Sequence, residues 1–211
     1  MSAAIVVVGA GGHAKVCIEL LHAMGEQVAY CIGTDPAVEQ CLGVPVLQGD
    51  DNLQSLYEQG YRRAFIALGP NRLRAKLAGR AQAIGYTLVQ AISPHAVLSP
   101  SATIRAGVAI MAGAVVNADA VIGELAIINT GTSVDHDCRI GKGAHLAPQC
   151  ALAGGVDVGE GTFLGVGCKV IPGIVIGDHA IIGAGAVVIT DIEADQTAVG
   201  VPARPRSAQR T

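Results

Sequence analysis

The chain has 211 residues and a formal net charge of −3 at pH 7, enough length for one large domain or two small ones. That charge supplies no basic face, which argues against nucleic acid as a partner. No run of about 18 uncharged apolar residues appears, and the opening MSAAIVVVGAGGHAK lacks the cationic stretch of a secretory signal. A cytoplasmic protein is the expectation.

Residues 4 to about 92 alternate strand-like and helix-like segments. Ile5–Val8 is a continuous apolar run, as in a strand buried on both faces. Gly9-Ala-Gly-Gly12 follows, and a helical pattern runs from His13 to Met24 through Val16, Leu20 and Leu21 until Gly25 closes it. Val28–Ile32 reads as a second strand, Val44–Leu47 as a third, and 52–59 as a helix. Arg63–Leu68 reads as another buried strand before Gly69-Pro70, 73–84 as a helix, and 87–92 as strand-like. Such alternation predicts a small parallel sheet covered by helices.

From Leu98 the pattern changes. Every sixth residue from 98 to 188 is Leu, Ile or Val, and four residues after each comes a second restricted slot that is nearly always small. A beat of six fits neither the helical period near 3.6 nor the strand period of 2. It fits a solenoid whose six-residue unit makes one side of a parallel β-helix, three units to a coil, so that residues 18 apart stack. The large aliphatics would fill the interior and the small residues the bends. Aromatics would not fit, and the only one after Tyr86 is Phe163, outside both inward slots.

Six cysteines, at 17, 31, 41, 138, 150 and 168, form no C-x2-C pair and read as small apolar fillers rather than metal ligands. Cys138, Cys150 and Cys168 occupy the small inward slot, which argues against an acyl-enzyme at Cys138. Among the six histidines, His22, His95 and His179 read as surface residues. His136 stands outside both inward slots and between Asp135 and Asp137, where a carboxylate can orient an imidazole and raise its basicity. Taken alone, that segment reads first as a solvated polar corner of the column.

The hexad pattern and the closing Gly200-Val-Pro-Ala203 resemble the hexapeptide-repeat acyltransferases. From that resemblance comes a left-handed β-helix, since parallel crossovers are otherwise almost always right-handed. The order of the two halves narrows the likeness. With Gly9-Ala-Gly-Gly-His-Ala-Lys15 and Asn129-Thr-Gly-Thr-Ser-Val-Asp-His-Asp-Cys138, the chain resembles N-acetyltransferases of nucleotide-linked 4-amino-4,6-dideoxy sugars and the related sialic acid O-acetyltransferases. The fold expected is a small Rossmann-like parallel α/β domain, residues 1–93, followed by a left-handed parallel β-helix, residues 94–211.

The resemblance implies acetyl transfer from acetyl-CoA to a UDP- or GDP-linked amino sugar, with O-acetylation of a sialic acid as the alternative. It makes His136 the base and Asp137 the residue that raises its basicity. His145, nine residues on, would contact the thioester carbonyl, and Gly154, one coil above His136 by the 18-residue stacking, would offer a backbone contact to CoA. Val166 and Val175 match further CoA positions. Gly11, Gly12, His13, Thr34, Asp35 and Gly69 match substrate-binding positions at successive strand ends, although Gly33-Thr34-Asp35 departs from the acidic pair common in the family. The mechanism expected is direct transfer in a ternary complex, without a metal, in a homotrimer whose sites are shared between subunits.

Three rivals fare worse. A zinc carbonic anhydrase would require His136, His145 and His179 as ligands, and these lack the short His-x4-His gap. Gly9-x-Gly11-x-x-Ala14 is formally a dinucleotide fingerprint, but the first domain is short for two mononucleotide halves. A non-catalytic solenoid would need neither the His-flanked segment nor the first domain.

Overall fold

The computed structural model describes residues 2–206 and divides into two compact units, Met1–Pro94 and His95–Thr211. In the first unit β1 (Ser2–Val8), α1 (Gly12–Ala23), β2 (Val28–Gly33), β3 (Gln40–Cys41), β4 (Val44–Gln48), α2 (Asn52–Glu58), β5 (Tyr61–Ile66), α3 (Asn71–Ile84) and β6 (Thr87–Leu88) follow one another. They form one sheet in the order β3-β4-β2-β1-β5-β6. It is parallel throughout except for the β3–β4 hairpin.

The central strand β1 is apolar because both its faces are covered, with Ile5, Val6 and Val7 wholly buried. Strand order reverses at β1, which has β2 on one side and β5 on the other. Open α/β sheets place ligands beyond the strand ends at such a reversal.

Sequence and structure differ here in three places. Strand β5 begins earlier and ends earlier than expected. Its polar start is accommodated because Arg63 forms a two-pronged ion pair with Glu26, at 2.6 and 2.7 Å. The stretch 87–92 is two short strands, Thr87–Leu88 and Ala91–Ile92, rather than one. The β3–β4 hairpin was not expected at all. It turns through Leu42 and Gly43, both at positive φ (49° and 78°), the geometry of a tight hairpin turn.

The second unit is built on the beat of six. Two-residue strands recur on three sheets, and from Val97 to Val188 the pairings join residues 18 apart in parallel, as in Ile110↔Ile128↔Leu146↔Leu164↔Ile182. At the C-terminal end the spacing drops to 16, as in Ile182↔Ala198, and the last pair, Val199↔Arg204, is antiparallel. The strands Ser133–Val134, Arg139–Ile140 and His145–Leu146 make one coil, one on each side of a three-sided column. The aliphatic slot from Ile110 to Val188 is buried at every position. Each such side chain contributes roughly 1.5–3 kcal/mol. Leu98 and Ile104 are only half-buried, being in the first coil.

The small slot tolerates polar atoms for a specific reason. Thr132 Oγ1 donates to Ala147 O at 3.0 Å, Thr162 Oγ1 to Gly177 O at 2.7 Å, and Cys138 Sγ lies 3.2 Å from Ala153 O. In each case the partner carbonyl is 15 residues further on, so buried hydroxyls and thiols are satisfied by the same coil geometry.

A third beat accompanies the other two. The residue before each small slot from 107 to 185 has positive φ, supplied mostly by glycine but also by Asp119, Leu125, Asp137, Gln149 and His179. Each of these corners therefore contains one left-handed residue, a conformation that costs little only for Gly, Asn or Asp.

Candidate active site

His136 lies in a corner between Ser133–Val134 and Arg139–Ile140. Its Nδ1 is 2.8 Å from Asp137 Oδ2. Adjacent residues seldom meet this way; here Asp137 occupies the left-handed corner position, with φ of 60°. The pair is oriented from the other side as well. Asp135 Oδ1 accepts the His136 backbone N–H at 2.8 Å and the Asn117 side-chain N–H at 2.9 Å. The hydrogen bond to Asp137, then the charge of Asp135, raises the His136 pKa above its ordinary 6.5. With Nδ1–H donated to Asp137, Nε2 is left as the basic nitrogen, on a side chain 61% exposed.

Gly154, one coil on, lies directly against that ring. A Cβ added there would come 2.5 Å from both Cε1 and Nε2 of His136, and the Gly155 N–H donates to His136 O at 2.9 Å. The 18-residue stacking therefore holds at this corner, and the absence of a side chain at 154 is what leaves room for the imidazole.

His145 opens the strand His145–Leu146. Its Nε2 is 3.2 Å from Asn129 Nδ2, and its ring packs edge-on against Phe163 with centroids 5.2 Å apart. Asn129 Oδ1 accepts the Thr130 N–H at 2.8 Å, so the amide points its NH2 toward the imidazole. Val166 and Val175 are each 51% exposed.

The expected site residues of this unit fall into two groups. His136, Asp137 and Gly154 share one corner, and Val175 begins the strand that leaves that same corner two coils on. His145 is on the sheet opposite that corner, and Val166 follows the strand of that sheet one coil later. One chain therefore does not bring its His136 and His145 together.

Cys138 is fully buried, and burial raises its thiol pKa, so it has neither the exposure nor the thiolate character of a nucleophile.

In the first unit a cleft of about 320 Å³ opens beyond the ends of β1, β2 and β5, lined in part by Gly9, Gly11, Gly33, Thr34, Asp35 and Asp50. Gly11 is the N-cap of α1. A Cβ at Gly11, Gly12 or Gly69 would meet nothing within 4 Å, so these three glycines leave space that the chain itself does not fill. Gly9 and Gly33 differ: a Cβ there would strike Ala67 O at 2.6 Å and Val46 Cγ1 at 2.9 Å, respectively. Their role is packing. Asp35 Oδ1 accepts the Ala37 N–H at 3.0 Å, and Thr34 is exposed.

His13 is half-buried, 3.6 Å from Cys17 Sγ. Burial, then the charge of Arg74, lowers its pKa to about 4, so it is a neutral imidazole at pH 7.

Three residues that the sequence did not single out belong to these sites. Arg74, 1% exposed, donates to Leu68 O and Gly69 O at 2.9 and 2.8 Å and to Asn71 Oδ1 at 2.9 Å, fixing the turn that carries Gly69. Asp50 lines the cleft. Asn129, inside the quoted motif, holds His145. Among the described residues, no group of three His, Cys, Asp or Glu side chains is placed to hold a metal ion. Among the same residues, no helix is long and apolar enough to cross a membrane.

Comparison with known proteins agrees with both units. Residues 4–81 match the PglD N-terminal domain family, and residues 155–190 match the bacterial transferase hexapeptide (six repeats) family. Comparison with curated sequences gave no match. Among solved structures, the chain is similar to PerB of Caulobacter crescentus in complex with CoA and GDP-perosamine. The identity is 55%, over 98% of this chain and 99% of that one, with a TM-score of 0.94. A histidine-to-asparagine variant of perosamine N-acetyltransferase from the same organism, also with CoA and GDP-perosamine, matches at 53% identity and a TM-score of 0.96 over 98% of both chains. The acetyltransferase domain of PglB from Neisseria gonorrhoeae, in complex with acetyl coenzyme A, matches at 35% identity over 98% of this chain and 100% of that domain, with a TM-score of 0.90. With a PglD-type α/β unit, a left-handed β-helix of hexapeptide repeats and this likeness along almost its whole length, the chain belongs to the CoA-dependent sugar N-acetyltransferase family.

Proposed function

We propose that the protein transfers the acetyl group of acetyl-CoA to the 4-amino group of a GDP-linked 4-amino-4,6-dideoxy sugar of the perosamine type. In this reading residues 1–93 hold the nucleotide sugar through Gly11, Gly12, His13, Thr34, Asp35 and Gly69, and residues 94–211 hold acetyl-CoA. The observation that carries the chemistry is the His136 Nδ1 to Asp137 Oδ2 contact of 2.8 Å on an exposed corner, because it leaves Nε2 as the basic nitrogen.

The reaction proceeds in one ternary complex. His136 Nε2 takes the proton from the sugar amine as its lone pair attacks the thioester carbonyl carbon. The carbonyl oxygen becomes an oxyanion, stabilised by donors from His145 and the Gly154 amide. Collapse breaks the C–S bond, and the imidazolium returns its proton to the departing thiolate, giving free CoA and the amide. Val166 and Val175 offer apolar surface to the pantetheine arm.

His136 and His145 lie on opposite sides of one column, so a site using both draws them from two chains. A head-to-tail ring of three subunits satisfies this, with every groove identical. The homotrimer and a cytoplasmic location complete the reading.

The test is thiol release from acetyl-CoA in the presence of GDP- and UDP-linked 4-amino-4,6-dideoxy sugars and, separately, free sialic acid. Turnover with the GDP-linked amino sugar and formation of its amide are expected. Turnover confined to sialic acid would replace this reading with O-acetylation.

A further inference from the structure

A nucleotide-sugar site needs a residue that distinguishes one base from another. The strand order of the first sheet bears on which residue that is. Successive strand ends carry Gly9–Gly12 after β1, Thr34 and Asp35 after β2, and Gly49 and Asp50 after β4, in the spatial order β1, β2, β4. Two strand spacings separate the first from the last, about 10 Å. A nucleoside diphosphate laid across these ends puts its phosphates at the α1 N-terminus and its ribose diol at the acidic residue after β2. Its base then falls at the end of β4.

Asp50 is the side chain waiting there. It is half-buried, lines the same cleft as Gly11 and Asp35 and makes no side-chain hydrogen bond or ion pair among the described residues. Its neighbour Asp51 is instead committed to Arg80, at 2.6 Å. The turn bearing Asp50 is held firmly. Asn52 Nδ2 donates to Gln48 O at 2.8 Å and to Gly49 O at 2.9 Å, and Gln48 Nε2 donates to Val38 O at 2.9 Å. Val38 supplies apolar wall in the same cleft. A preorganised carboxylate with no partner, beside an apolar surface, suits an aromatic ring that presents two adjacent donors.

We propose that Asp50 is the base-reading residue, its carboxylate accepting N1–H and N2–H of guanine together, so that the protein selects GDP-linked over UDP-linked substrates. This rests on the nucleotide-sugar reading above. Uracil offers one N–H between two carbonyl oxygens, and those oxygens oppose a carboxylate. Hypoxanthine keeps N1–H but lacks the 2-amino group.

The experiment is calorimetric titration of GDP, IDP and UDP into the full-length protein, into Asp50→Asn, and into Asp51→Asn as a neighbouring control. The wild type should bind GDP at least about tenfold more tightly than IDP, from the loss of one hydrogen bond to a charged group. Asp50→Asn should abolish that ratio and raise UDP relative to GDP, because an amide presents a donor beside an acceptor and so matches uracil. Asp51→Asn should keep the wild-type ratios. A preserved GDP preference in Asp50→Asn overturns the inference while leaving the function intact. Equal wild-type affinity for GDP and IDP, or a preference for UDP, overturns it too. Absence of any nucleoside diphosphate binding to the wild type overturns the proposed function together with the inference.

Discussion

Replacing Gly154 by alanine separates stability from catalysis at the proposed base. The new Cβ would stand 2.5 Å from Cε1 and Nε2 of His136, about 1 Å closer than ordinary carbon contacts permit. The backbone at 154 is not left-handed, so alanine fits it without strain. The obstruction is the free end of an exposed side chain, which can swing away. The column should therefore keep its melting temperature to within about 2–4 °C, the shift expected for less than 1 kcal/mol in a chain of this size. Displacing the ring by about 1 Å breaks the 2.8 Å contact with Asp137 and misplaces the base, for which a loss of roughly 100-fold in kcat is expected. Thiol-release kinetics across a pH series measure this. The KM for acetyl-CoA should change little, and the acidic limb should move toward that of free imidazole. A variant with kcat within twofold of wild type would refute the placement of the base, and so would one that loses its fold.

Other consequences follow from the same geometry. Asp137→Asn removes the largest cause of the raised His136 pKa, so the acidic limb of kcat/KM should shift to lower pH while the plateau falls, because the base is weaker. An unchanged limb would show that Asp137 does not tune it. Cys138→Ala, at a buried thiol, should retain at least about half of wild-type turnover and yield no trapped acyl-enzyme by intact mass, since Cys138 is read as neither nucleophile nor base. His13 titrates at about 4 in the folded chain against 6.5 ordinarily, so the unfolded state binds more protons between those values and stability should fall as pH drops from 6.5 to 4. The loss is about 3 kcal/mol at full extent, and denaturant titration of His13→Gln should show a shallower decline over that window.

Much of this architecture is legible in the sequence because the hexad constrains every sixth residue to one shape and every coil to one length. A slip anywhere from 98 to 188 would have turned an aliphatic side chain out of the column. The arithmetic of 18 also places Gly154 next to His136 from the sequence alone. It does not by itself convey that His136 and His145, half a coil apart, face opposite ways; that requires following each residue to its corner or sheet. The left-handed corner residue was there to be read in the recurring glycines at 107, 113, 131 and 143, and it explains why Asp137 turns back onto His136. Arg74 left no such trace. In α3 it reads as one more surface cation, and only the fold shows its guanidinium bound to the carbonyls of Leu68 and Gly69. Asp50 was equally silent, since its meaning depends on the spatial order of β1, β2 and β4 rather than on chain order.

In the proposed mechanism the imidazole at 136 acts on a thioester held at 145 of a neighbouring chain. Mixing inactive His136→Ala and His145→Ala subunits after denaturation and reassembly tests it directly. In random trimers of an equal mixture, about three quarters contain both kinds, and each of those has one intact site in three, so about one quarter of wild-type turnover should return. If each chain carried a complete site of its own, the mixture would remain as inactive as its two components.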